Sequence, residues 1–291
     1  MKKNLLRVLS LALVACMLFA FTSCSQTIYV RFVDKNGNDV SIGGIASTGG
    51  TSTNPGTSTP GGNEITGETD LPAGTMPTAT VDVVNFYKAA VDKIKNEGAA
   101  GYTKKEWQNV DSVNIGGSTV NNAVTGVLGN FMTVEADASE QVSEKGSDEA
   151  KDRFPAWTLT DIAYVASATC TDAGNGNYKV TIVMIDEDTP QKGKSFLGQV
   201  TNSLLYWEDI DNTLSTDSTV TAILSSYSGI HVVYKNYTIT AEMTPDGQFV
   251  SLDHTADVDI IIGQATILKI FNIKDKSGHM WNYCKYYNFN Y

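Results

Sequence analysis

Histidine and cysteine are scarce in this chain, at three and four among 291 residues. His231, His254 and His279 form no His-Glu-x-x-His motif and no Cys/His cluster, so the sequence offers no zinc motif. Cations are scarce as well: 21 Lys and Arg stand against 32 Asp and Glu, a net charge of −11. Such a chain repels phosphate backbones, which excludes general nucleic-acid binding. Nucleophile motifs are missing: there is no Gly-x-Ser-x-Gly and no Ser-x-x-Lys. Gly193-Lys194-Ser195 lacks the glycine a phosphate loop needs five residues earlier, because residue 188 is Asp. No apolar run reaches the roughly 20 residues of a spanning helix. With 42% hydrophobic residues, however, the chain has enough apolar material to bury a core.

The first 26 residues carry the strongest pattern. Lys2, Lys3 and Arg7 form a positive n-region, and residues 8–21 are mostly apolar, a length that suits a signal h-region. Phe21-Thr22-Ser23-Cys24 follows. Small residues before a cysteine resemble the lipobox of bacterial lipoproteins. The resemblance implies cleavage before Cys24 and acylation of its thiol, with Thr22 and Ser23 in the small-residue positions; Phe21 departs from the usual Leu. Leu13-Val14-Ala15-Cys16 also fits the pattern. It would shorten the h-region to about eight residues and leave apolar residues 17–21 on the mature chain. The resemblance covers only the leader. Two or three acyl chains, palmitate among them, would hold a soluble domain on a membrane far better than one.

Residues 24–42 read as a short hairpin or extended segment, with a β-prone run at 28–33 and an Asn36-Gly37 turn. The acidic loop around that turn places Gly37 too early for a calcium-binding hand. Residues 43–79 hold nine Gly, nine Thr, three Ser and four Pro, which predicts a disordered linker. As a flexible coil it would reach about 35 Å.

Residues 80–291 read as one α+β domain, with N-terminal helices packed on an antiparallel, curved β-meander sheet. Apolar residues at helical spacing predict helices over 81–97 and 119–132, and a third over 204–214. A hairpin is expected over 163–186. After it, strands are expected at 231–234, 237–243 and 249–262, the last broken by Gly263. Strands at 265–273 and 280–291 would flank a turn at Lys276-Ser277-Gly278.

The candidate site residues come from strand alternation. His254 shares a face with Leu252, Ala256 and Val258, so it reads as a core histidine or as the lining of a ligand cavity. Asp253, Asp257 and Asp259 stripe the other face, as solvated charge, a cation site or an acid pair. Trp281, Tyr283 and Tyr287 share one face of the last strand, as core or as a ligand platform. Cys170 and Cys284 would remain after processing and could pair if their strands lie side by side.

These readings describe an exported lipoprotein on the extracytoplasmic face of the membrane or the cell surface. Its domain would bind an envelope ligand or protein, with no cofactor, no metal and no catalytic residue assigned. A structural or adhesive surface protein is the alternative, and a carboxylate-dependent envelope hydrolase a more distant one.

Overall fold

The computed structural model describes residues 64–68, 71–72, 74–114, 133–204, 206–216, 224–267 and 271–291. All belong to one compact unit. The leader, the 24–42 segment, most of the linker and the expected 119–132 helix lie outside the described residues.

Helix α1 (Thr80–Glu97) forms where the apolar spacing predicts it. Gly98 ends it in the left-handed conformation, φ +66°, and its N–H reaches back to the Ile94 carbonyl. A Cβ at Gly98 would meet the Gly146 backbone at 2.9 Å, so a close approach adds to the demand for glycine. Val83, Val84, Tyr87, Ala90, Val91 and Ile94 are buried on one face.

That face packs on an antiparallel sheet, the largest element of the described chain. Its strands are β1 (Gly101–Asn114), β2 (Gln141–Ser143), β3 (Val165–Asp172), β4 (Tyr178–Met184), β6 (Leu224–Met243), β7 (Phe249–Ile267) and β8 (Phe271–Asn290). The short β5 (Glu187–Asp188) pairs with β6. The order is β2-β1-β8-β7-β6-β4-β3. The helical remainder is short: α2 (Asp148–Arg153) and α3 (Trp207–Thr216). The described fold is therefore a β-rich sheet with few helices, and α1 is the one long helix among the described residues. No helix among them is long and apolar enough to cross a membrane.

The late strands are longer than local signals suggest. The two segments expected at 231–234 and 237–243 are one strand, β6, bent at a bulge where Asn236 takes φ +48°. Gly263 does not end β7. It lies against Gly229, and a Cβ there would meet the Gly229 and Ser228 carbonyl oxygens at 3.0 and 3.1 Å. Glycine serves close strand approach here, not a break. Lys276, Ser277 and Gly278 lie inside β8 and pair with residues 260–262 of β7.

The core lies between α1 and one face of the sheet. Tyr87 meets Trp157 and Phe249 edge-on, with ring centres 5.5 and 5.6 Å apart. Val180, Ile182, Tyr234, Ile239, Leu252, Val258 and Tyr286 complete the layer from the sheet.

One boundary needs correction. The domain does not begin at residue 80. Ile65 is fully buried, its N–H donates to the Thr160 carbonyl, and Glu64 bridges Asp161. The Asn85 side-chain oxygen accepts the N–H groups of Thr66 and Gly67, both at 3.0 Å. Burying one isoleucine contributes about 2 kcal/mol, enough to hold a short segment that composition alone assigns to linker.

Cys170 and Cys284 do not pair; both are free and buried. They sit on β3 and β8, four strand positions apart, which is about 19 Å at the usual strand spacing. A disulfide needs Cα atoms within about 7 Å. Burial also pushes both thiols up, Cys170 to about 11 and Cys284 to about 12. Alkylation of the denatured, non-reduced chain should therefore label both cysteines. Mass spectrometry finding either one unlabelled and disulfide-linked would contradict this arrangement.

Candidate functional site

Strand alternation gives the sheet two chemically different faces. The inner face carries His254, which is 2% exposed. The Tyr237 hydroxyl lies 2.7 Å from its Nδ1, and the Tyr87 hydroxyl lies 3.4 Å from its Nε2. A neutral imidazole satisfies both partners: Tyr237 O–H donates to Nδ1, and Nε2–H donates to the Tyr87 oxygen. Burial, with a smaller contribution from Lys104, lowers the histidine to about 3. Thr201, Cys284 and Tyr286 close the surroundings. His254 is thus a buried core group with its hydrogen bonds satisfied.

The aromatic candidates sit on the opposite side from His254. Asn282, Cys284 and Tyr286 face the core, so Trp281, Tyr283 and Tyr287 point outward and are half-buried. The register decides this, because Cys284 is paired directly with His254. Trp107 on β1 joins the outer row, its ring 5.2 Å from Tyr283 and nearly parallel to it. Trp281 lies 6.5 Å from Tyr283 along the same strand. Tyr287 stands apart, its hydroxyl donating to Glu140 at 2.6 Å.

The carboxylate stripe of β7 shares this outer face and is brought against cations from both neighbouring strands. Lys235 on β6 donates to Asp259 Oδ2 at 2.5 Å. Lys285 on β8 stands 3.7 Å from Asp253. His279, paired with Asp259 in the β7–β8 register, places Nδ1 2.9 Å from Asp259 Oδ1 and 3.3 Å from Asp257 Oδ1. Its other nitrogen faces Asp111 on β1 at 3.7 Å. Burial would raise the Asp259 carboxyl, but the hydrogen bonds from Lys235 and His279 outweigh it and lower the group. Asp253 goes the other way: burial raises it more than Lys285 lowers it.

Asp257, Asp259 and His279 thus offer three ligand-type atoms within 4.8 Å of one another. The sequence shows the i, i+2 carboxylates but not the histidine, which is 20 residues further along. The signal that would have found it is the hairpin centre: pairs run without a shift from Ile267↔Phe271 back to Leu252↔Tyr286. The same unshifted register sets Asp259 opposite His279.

No family model, curated protein or solved structure matches the chain. Any functional reading therefore rests on the leader and on this outer face.

The inner histidine carries a pH dependence. Its folded value lies below the ordinary 6.5, so the unfolded chain binds the proton first as pH falls. The stability from keeping His254 neutral is complete above about pH 7 and is lost at about 1.4 kcal/mol per pH unit between pH 6 and 4. Urea titrations across that range should show this slope, and His254→Gln should flatten it. An equal slope in the variant would show that other groups carry the acid sensitivity.

Proposed function

We propose that the chain is an exported lipoprotein, held on the membrane by acyl chains on Cys24. Its domain binds a ligand or protein of the cell envelope through the outer face of the sheet. The leader supports the first half, with its cationic n-region, its apolar stretch and Thr22-Ser23-Cys24. The observation that carries the second half is the composition of the outer face. Trp107, Trp281 and Tyr283 adjoin the ionic group of Asp257, Asp259, His279 and Lys235 on the side away from α1. Trp and Tyr are among the side chains that recognition surfaces favour. In this reading the sheet curves around α1. The acidic balance keeps nucleic acid out of the partner list.

The hydrolase alternative asks for two acids converging in a cleft. Asp257 and Asp259 do converge, but on a sheet face and in ion pairs with Lys235 and His279. Binding needs no more than this, and no step of covalent chemistry is assigned.

Metabolic labelling with an alkyne palmitate analogue tests the anchor. The wild-type chain should take the label and fractionate with membranes. Cys24→Ala should lose both properties, whereas Cys16→Ala should keep them. Label retained in Cys24→Ala would remove the anchor at this cysteine. For the face, a Trp281→Ala, Tyr283→Ala double variant should bind isolated envelope fractions about tenfold more weakly. Equal retention by a folded variant would move the binding surface elsewhere.

A further inference from the structure

Three ligand atoms of the outer face are arranged as one coordination site would arrange them. Asp259 Oδ1 lies 2.9 Å and Asp257 Oδ1 3.3 Å from His279 Nδ1. Atoms bound to one divalent ion at about 2.1 Å lie about 3.0–3.4 Å from each other. A hydrogen-bonded explanation covers only part of the cluster. An imidazole Nδ1 carries at most one proton, and that proton goes to Asp259. Asp257 Oδ1 is left fully enclosed with no hydrogen bond, the only such side-chain atom among the described residues. An enclosed carboxylate oxygen without a hydrogen bond is costly, and a cation within reach of all three atoms removes the cost.

The surroundings fit the same explanation. Lys235 takes Oδ2 of Asp259, which leaves Oδ1 turned toward His279. Asp111 stands on the far side of the imidazole, 3.7 Å from Nε2. A carboxylate behind a ligating histidine fixes the ring and makes its other nitrogen a better donor. Asp257, Asp259 and His279 are 17%, 25% and 23% exposed, so solvent can complete the coordination.

We infer that Asp257 Oδ1, Asp259 Oδ1 and His279 Nδ1 form a binding site for a single divalent transition-metal ion. Two carboxylates and one imidazole suit Zn²⁺ or Mn²⁺, since Ca²⁺ and Mg²⁺ prefer oxygen alone. The site needs neither the lipid anchor nor an envelope ligand, so its test stands apart from theirs.

The full chain, expressed with its leader, without a histidine tag, and purified in mild detergent, is stripped with chelator. It is then titrated calorimetrically with Zn²⁺ and with Mn²⁺. One equivalent of at least one of them should bind. Affinity should fall at least about tenfold in His279→Gln and in Asp257→Asn. It should stay unchanged in Asp188→Asn, which alters the separate pair with His231. A second measurement needs no variant to fold. Substoichiometric Mn²⁺ should broaden the ring signals of one of the three histidines, His279, and leave buried His254 sharp. No saturable binding of either ion, unchanged affinity in both site variants, or broadening centred on another histidine would overturn the site.

Discussion

The pairing of β7 with β8 runs from Leu252↔Tyr286 to Ile267↔Phe271 without a shift, and both faces of the molecule depend on it. Side chains alternate along each strand, so a slip by one residue would exchange the faces. Cys284 would then turn outward and Trp281 would enter the core. Because the inner face is closed by α1 and by Trp157, Phe249 and Phe154, that exchange is expensive. Core packing thereby also fixes which groups meet on the outer face, although none of those groups contributes to the core.

The inner face is not purely apolar. Tyr87, Tyr237, Thr201 and His254 form a buried polar group among aromatic rings. Each member has a partner, and that is what makes burial tolerable. The arrangement links α1, β6, β7 and the loop after Gln199 at one point. It is specific in a way that dispersion alone is not, since a shifted helix would strand a hydroxyl and an imidazole together.

The outer face shows the opposite economy. Carboxylates on β7 are flanked by cations from β6 and β8, an arrangement cross-strand neighbours can make at little cost. Yet the balance is incomplete at Asp257, where an enclosed oxygen accepts nothing. Beside it stands an aromatic row contributed by β1 and β8. The two features adjoin because β8 is the strand between β7 and β1.

Much of the secondary structure was legible in the sequence. α1 with its Gly98 stop, the 163–186 hairpin and the alternation of 252–258 follow from local periodicity and turn chemistry. So does the pairing of Asp257 and Asp259 on one face. The linker boundary was misplaced because Ile65 is held by Thr160, and Thr66 and Gly67 by Asn85, partners that composition does not see. Local punctuation also misled at Gly263 and at Lys276-Ser277-Gly278. Long strands paired on both sides override a weak turn signal when ladder hydrogen bonds are available throughout. Composition and the leader alone determined the acidic character and the absence of common nucleophile motifs. Only the tertiary structure decided that Cys170 and Cys284 lie far apart, that His254 is core, that Trp281 and Tyr283 face outward, and that His279 meets two aspartates. Each of these depends on strand order and register, which arise from contacts across tens of residues and leave no trace in local spacing.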